Sequence, residues 1–187
     1  MSALSAVLSK CRAENRAALV GYLPVGYPSI PLSVAALRAM VEGGCDAIEV
    51  GVPYSDPVMD GPTIQAAVDP AVRAGVGLRD AFGAVAAVVD AGAAAVIMTY
   101  WNPVERYGVA RFASALAQAG GSGAITPDLI PDEAAPWLEA SDAEQLDRVF
   151  LVAPSSTDRR IADTAAASRG FVYAAAVLGV TGARTTV

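Results

Sequence analysis

The segment 46–65, DAIEVGVPYSDPVMDGPTIQ, begins with Asp46 and holds three further carboxylates. Glu49 interrupts an apolar run, whereas Asp56 and Asp60 lie in the proline- and glycine-rich stretch that follows. A charged group inside a buried strand is unfavourable unless it is paired or used. A carboxyl group in apolar surroundings has a raised pKa, which suits a general acid or base near neutral pH. The segment therefore predicts acid–base chemistry.

Each carboxylate also has a structural interpretation. Glu49 could form an ion pair with a lysine or arginine at the end of its strand. Asp60, in an Asp-Gly pair, could form a turn or cap a helix that begins near Pro62, and Asp56 could form a turn before Pro57. From the residues alone these alternatives stay open.

The composition excludes several other classes of site. The chain contains no histidine, so Ser-His-Asp and Cys-His catalysis and histidine-ligated metals are excluded. A formal net charge of −6 argues against nucleic acid or an anionic membrane as the main partner. Cys11 and Cys45 form no CxxC pair, and we expect both to be reduced, structural residues of a cytoplasmic protein.

One apolar stretch, residues 82–101, carries a single charge and is long enough to resemble a membrane span. Asp90-Ala91-Gly92 divides it, so we predict a buried helix, a turn and a buried strand instead.

Short apolar runs alternate with helical patterns along the chain. Near-continuous hydrophobicity is typical of parallel strands covered on both faces. Six strands are predicted, at residues 18–23, 46–51, 94–100, 123–126, 148–153 and 170–176. Helices are expected between them, with breaks or kinks at Pro70 and Pro136.

The spacing of these units favours an α/β barrel. The stretch GYLPVGYP after the first strand does not match the GxGxxG of a dinucleotide-binding sheet, which leaves a (β/α)8 (TIM) barrel as the better interpretation. Such a barrel has eight strands and about 250 residues. We therefore expect residues 1–187 to form one incomplete barrel domain of about six βα units, without strands 7 and 8 and with an N-terminal helix at about 2–14.

Strand alternation then orients the second strand. Ile48 and Val50 would face the helices, and Glu49 would point into the barrel at the carboxyl end of the strands, where the active sites of such barrels lie. A group of strand-end side chains would line the same mouth and form a pocket for a flat, largely apolar ligand: Tyr22, Met98, Tyr100 and Tyr173.

The segment IEVGVPYSDPVMDGPTIQ resembles the signature of the tryptophan synthase α chain family. The similarity continues through LVGYLPVGYP, VIMTYWNPVERYG, ITPDLIPDE, FLVAPSSTDRRI and GFVYAAAVLGVTGAR. It implies a (β/α)8 lyase that cleaves indole-3-glycerol phosphate to indole and glyceraldehyde 3-phosphate by a retro-aldol reaction in tryptophan biosynthesis.

The resemblance assigns roles to individual residues. Glu49 matches the general acid/base, and Asp60 matches the aspartate that interacts with the indole N–H. The indole pocket would be lined by Tyr22, Ile64, Met98, Ile125 and Tyr173. The stretch GVTGAR would be a mobile lid with Gly179, Thr181 and Gly182.

The resemblance also implies a partner. Asp56 and Pro57 would face a β subunit in an α2β2 heterotetramer, and pyridoxal phosphate would belong to that subunit, leaving no metal or organic cofactor on this chain. The phosphate-binding residues of the family would lie beyond Val187. Two alternatives remain: an inactive fragment that keeps only the β-subunit contact surface, and another phosphate-handling barrel enzyme, which should use a histidine-ligated metal or a different carboxylate layout.

Overall fold

The chain alternates parallel strands with helices, and the computed structural model describes residues 1–176. The strands are β1 (Val20–Pro24), β2 (Ala47–Gly51), β3 (Ala94–Met98), β4 (Gly123–Ile125), β5 (Asp147–Val149), β6 (Leu151–Val152) and β7 (Tyr173–Ala174). The helices are α1 (Ala3–Ala13), α2 (Ile30–Glu42), α3 (Pro62–Arg73), α4 (Leu78–Asp90), α5 (Trp101–Tyr107), α6 (Val109–Gln118), α7 (Ala135–Ala143) and α8 (Asp158–Ala167), with a 3-10 turn at Pro131–Glu133.

All neighbouring strands are parallel, in the order β1-β2-β3-β4-β5, and β6 pairs with β7. This is the arrangement of consecutive βα units in a (β/α)8 barrel, as predicted. The fifth predicted strand is divided at Phe150: its first half pairs with β4 and its second half with β7. Phe150 is fully buried in the helix-facing core, and its carbonyl accepts a hydrogen bond from the Tyr173 N–H at 3.0 Å.

Two apolar clusters confirm the predicted alternation along β2. Ile48 and Val50 belong to the large cluster between the strands and the helices. Ala47 belongs to a second cluster inside the sheet's curve, together with Leu4 of α1 and Val96 of β3. Because successive strand residues face opposite sides, Glu49 shares the inner face with Ala47.

The helix boundaries follow local chemistry. The Ser29 hydroxyl accepts a hydrogen bond from the Leu32 N–H at 3.4 Å, and α2 ends at the Gly43 cap, as expected. Pro136 lies in the first turn of α7, so the helix begins there rather than passing through it.

We expected a break or a kink at Pro70; a break is wrong, because α3 continues through this residue to Arg73, and a kink stays a prediction. Proline removes one backbone donor, which leaves a carbonyl one turn earlier without its usual partner. Pro70 and Ala66 are exposed, so water can satisfy that carbonyl.

The N-terminal helix closes the amino end of the strands. Leu4 is completely buried among strand residues of the inner cluster. Nearby, Arg16 makes two hydrogen bonds of 2.8 Å with the carboxylate of Asp46, just before β2, and the Leu19 N–H donates to the same carboxylate at 2.8 Å. These bonds hold the pKa of Asp46 well below its ordinary value, mainly through Arg16.

The apolar stretch at 82–101 forms α4, a turn and β3, as predicted. Within residues 1–176, no helix is both long and apolar enough to cross a membrane. Cys11 and Cys45 are both free thiols, and Cys11 is buried.

Candidate active site

Glu49 is a buried carboxyl group on the inner face of β2, with 7% of its surface exposed. Its strand is buried along its whole length. Burial raises the pKa of Glu49 from an ordinary value of 4.5 to about 7. No ion pair involves Glu49 in the part of the chain that the structure describes, so the ion-pair interpretation is not supported. A carboxyl group with this pKa can both donate and accept a proton near neutral pH.

Asp60 lies in the loop between β2 and α3 and is half-buried. It is not the N-cap of α3, because Gly61 occupies that position. Its Oδ1 accepts a hydrogen bond from the Tyr100 hydroxyl at 3.0 Å, and its carbonyl oxygen accepts one from the Gln65 side chain at 2.7 Å. Burial raises the pKa of Asp60, and the Tyr100 hydrogen bond acts in the opposite direction.

Tyr22 lies beside Glu49 on the neighbouring strand. It is the register partner of Glu49 on β1, and its ring lies against Gly51. The pKa of the Tyr22 phenol is raised first by burial and then by the negative charges of Asp60 and Glu49. Tyr22 and Glu49 therefore share the inner face of neighbouring strands, and the charge of Asp60 also acts on the Tyr22 phenol.

The inner face beyond Glu49 is apolar. Ile125 is completely buried there, and Met98 and Tyr173 pack against the same cluster. The pKa of the Tyr173 phenol is raised by burial and by the negative charge of Glu49. A flat, apolar ligand could contact these side chains and still meet a carboxyl group.

Three of the five predicted pocket residues, Met98, Ile125 and Tyr173, lie in or against the inner cluster, and Tyr22 shares the inner face with Glu49 through the strand register. Ile64 is different. It lies in the first turn of α3, is half-buried, and belongs to neither apolar cluster. Its role stays a prediction that rests on the family resemblance.

The loop that carries Asp56 faces outward. Asp56 is exposed and accepts a hydrogen bond from the Ser55 hydroxyl at 2.5 Å, and Pro57 is half-buried. Val58 exposes 61% of its surface. The predicted lid residues Gly179, Thr181 and Gly182 lie outside the described residues.

Among residues 1–176, no group of three or more histidine, cysteine, aspartate or glutamate side chains is arranged to ligate a metal ion. The structure has a groove of about 660 Å³ between α1 and the Gly170–Phe171 segment. That groove lies at the amino end of the strands, away from Glu49, so its size does not make it the site of the acid–base chemistry.

Sequence reasoning placed Tyr100 only as a residue of the barrel mouth. The structure shows in addition that its hydroxyl accepts a hydrogen bond from the Met59 N–H at 3.1 Å while donating to Asp60. No sequence pattern indicates which loop group meets its hydroxyl.

Comparison with known proteins identifies relatives along the whole chain. The family model described as tryptophan synthase alpha chain matches residues 8–187. The tryptophan synthase alpha chain of Mycobacterium bovis is 66% identical over 186 residues, covering 100% of this chain and 69% of the relative. The tryptophan synthase alpha chain of Thermobifida fusca is 62% identical over 187 residues, again covering 100% of this chain and 69% of the relative.

Solved structures of tryptophan synthases have the same fold as this chain. A structure of Mycobacterium tuberculosis tryptophan synthase superposes with a TM-score of 0.94 at 66% identity, covering 98% of this chain and 72% of that chain. The alpha subunit from Legionella pneumophila gives a TM-score of 0.89 at 29% identity, covering 94% and 68%.

Proposed function

Because this chain belongs to the tryptophan synthase alpha chain family, we propose that its Glu49 and Asp60 carry out the family's cleavage of indole-3-glycerol phosphate to indole and glyceraldehyde 3-phosphate. The observation that carries this assignment is the burial of Glu49. A carboxyl group with a pKa of about 7 is populated in both protonation states at neutral pH.

The reaction needs one proton delivered and one removed. Protonation of indole C3 converts the ring into an electron sink with positive charge on its nitrogen. The bond between C3 and the side chain then breaks, its electron pair returns to the ring, and the hydroxyl on the departing carbon loses its proton to become an aldehyde. Protonated Glu49 supplies the first proton, and ionised Glu49 is suited to accept the second.

Asp60 stabilises the charge that develops during this sequence. A carboxylate beside the ring N–H is favoured as the nitrogen becomes positive, and it is worth more in a partly buried site than in water. One oxygen of Asp60 is bound by Tyr100, which leaves the other for the ring N–H.

The apolar inner face supplies the surface for the indole ring. Tyr22, Met98, Ile125 and Tyr173 offer aromatic and aliphatic contacts on the face that also contains Glu49. Ile64 and the lid residues Gly179, Thr181 and Gly182 complete the proposed set on the basis of family similarity.

The proposed partner is a β subunit that carries pyridoxal phosphate, in an α2β2 assembly. Support on this chain comes from the loop of Asp56, Pro57 and Val58, which exposes charged and apolar surface beside the site. An inactive chain that keeps only this contact surface is not favoured, because the family match spans residues 8–187 and includes both carboxylates.

The test is indole release from indole-3-glycerol phosphate by Glu49→Gln. Glutamine keeps the shape but cannot transfer a proton, so the rate should fall by at least about 100-fold. Glu42→Gln is the matched control, since Glu42 is exposed at the end of α2, and its rate should stay within a factor of two of the wild-type rate. A Glu49→Gln rate within a factor of two of wild type would show that the acid–base assignment is wrong.

A further inference from the structure

We propose that Tyr100 is a positioning residue that fixes one oxygen of Asp60 and leaves the other oxygen directed at the substrate. This inference rests on the proposed function, because it concerns how the same site is organised. Tyr100 is 5% exposed, and its hydroxyl makes two hydrogen bonds to one short loop: it accepts from the Met59 N–H at 3.1 Å and donates to Asp60 Oδ1 at 3.0 Å.

The direction of the Tyr100 proton follows from these two bonds. A backbone N–H can only donate, so the bond with Met59 uses a lone pair of the phenol oxygen. The single hydroxyl proton is then free to point at Asp60, where a carboxylate is the natural acceptor. Hydrogen bonds to an ionised acceptor are about twice as strong as bonds between neutral groups.

The ring of Tyr100 is fixed by its surroundings. It lies two residues beyond the end of β3, and the next residue begins α5. The Trp101 N–H donates to both oxygens of Asp128, at 2.9 and 3.1 Å, which ties this turn to the loop after β4. The Tyr54 ring packs against the Tyr100 ring with centroids 5.2 Å apart.

Among residues 1–176, the Asp60 carboxylate has one side-chain hydrogen bond, the one from Tyr100. The hydrogen bond from the Gln65 side chain to the Asp60 carbonyl fixes the backbone but not the carboxylate. The Ser55–Asp56 bond lies within the loop itself. Tyr100 therefore transfers the rigidity of the strand end to the Asp60 side chain, as a supporting residue must if a catalytic group is to keep its geometry.

The contact also favours the charge state that the reaction needs. Burial raises the pKa of Asp60 and so favours the neutral acid, which cannot stabilise a positive ring nitrogen. A donor on Oδ1 stabilises the ionised form and opposes that effect. Loss of the hydroxyl should thus loosen Asp60 and make it easier to protonate.

The experiment compares wild type with Tyr100→Phe by ¹³C NMR titration of the Asp60 carboxyl carbon. We expect the apparent pKa of Asp60 to be higher in the variant. In the indole-release assay, kcat should fall about tenfold with KM changed by less than about threefold, and the acidic limb of the pH profile should move to higher pH. Tyr27→Phe is the control, because Tyr27 is 44% exposed, and it should change none of these quantities.

A second variant guards against misfolding of Tyr100→Phe. Replacement of Tyr100 by 3-fluorotyrosine keeps the ring and makes the hydroxyl a stronger donor, so the pKa of Asp60 should fall. An Asp60 titration that is unchanged in folded Tyr100→Phe, or that does not respond to the fluorinated residue, overturns the proposal. If the titrations shift as expected but wild type releases no indole, the contact stands and the proposed function fails.

Discussion

Tyr22 and Glu49 are register partners on adjacent parallel strands, so the phenol and the carboxyl group share the inner face of the sheet at the same height. The arrangement depends on Gly51, two residues after Glu49 on the same face. A side-chain carbon at Gly51 would lie 2.6 Å from the Tyr22 hydroxyl oxygen. The absence of a side chain at Gly51 thus lets the Tyr22 ring cover the strand end beside Glu49, where it excludes water and contributes to the raised pKa of the carboxyl group.

The burial of Glu49 should appear as a pH-dependent cost in stability. The pKa of Glu49 is 4.5 in an unfolded chain and about 7 in the folded protein, so the folded state retains a proton that the unfolded state loses. The associated stability is fully present below pH 4.5 and is lost as the pH rises through about 7. The full difference corresponds to about 3 kcal/mol.

The glutamine in Glu49→Gln has no proton to lose. The free energy of unfolding of this variant, minus that of wild type, should therefore rise by about 3 kcal/mol between pH 4.5 and pH 8. Urea denaturation at several pH values measures this difference, in which groups common to both proteins cancel. Glu42→Gln provides the comparison and should show a constant difference from wild type. A constant difference for Glu49→Gln as well would mean that the folded protein does not raise the pKa of Glu49.

The contact between Gly51 and Tyr22 gives a second prediction. Gly51→Ala forces the half-buried Tyr22 ring to move, and overpacking of this kind costs about 1–3 kcal/mol. Thermal or urea unfolding should show that loss. The KM for indole-3-glycerol phosphate should rise in the same variant, because the displaced ring belongs to the proposed indole pocket.

Gly83→Ala is a matched control for this substitution. Gly83 lies on the exposed side of α4, and an added carbon there meets nothing within 4 Å. Alanine in a helix is favoured over glycine by roughly 0.5–1 kcal/mol, so this variant should be slightly more stable than wild type. Equal effects of the two substitutions would contradict the proposed contact.

The sequence predicted which face of β2 each side chain occupies more reliably than it predicted the contacts made by loops. The alternation along β2 assigned Ile48 and Val50 to the helices and Glu49 to the interior, because the side-chain period of a strand is fixed by its backbone. Met98 and Tyr173, which the sequence placed at strand ends, pack against the inner cluster. These assignments need only the local pattern.

Features that depend on tertiary contacts were not predictable in this way. The bond between Tyr100 and Asp60 joins residues forty positions apart, through a loop whose path no local pattern fixes. Pro70 was expected to interrupt α3, but whether a proline interrupts a helix depends on access of water to the carbonyl left without a partner. The division of the fifth strand at Phe150 likewise depends on a tertiary contact, because the Phe150 ring packs in the helix-facing cluster.

Asp147, a 2% exposed carboxylate at the start of β5, holds α1 against the amino end of the strands. It accepts hydrogen bonds from the Ser2 and Ser5 hydroxyls, the latter at 3.4 Å, and lies 3.7 Å from Arg169 Nε. Ser2 is also the N-cap of α1, so the carboxylate faces the positive end of that helix. These contacts stabilise both the start of α1 and the packing of this helix, through Leu4, against the strands.

Asp147→Ala should therefore reduce the free energy of unfolding by about 1–3 kcal/mol, since it leaves half-buried donors without their charged acceptor. The loss should be accompanied by faster amide hydrogen exchange in α1 than in α4, because only α1 depends on the missing contacts. Asp69→Ala is the comparison: Asp69 pairs with Arg73 on the exposed face of α3, with 58% and 77% of the side chains exposed. Such a pair contributes roughly 0.3–0.5 kcal/mol. Exchange that rises equally in α1 and α4 of Asp147→Ala would mean that the carboxylate stabilises the whole fold rather than the position of the N-terminal helix.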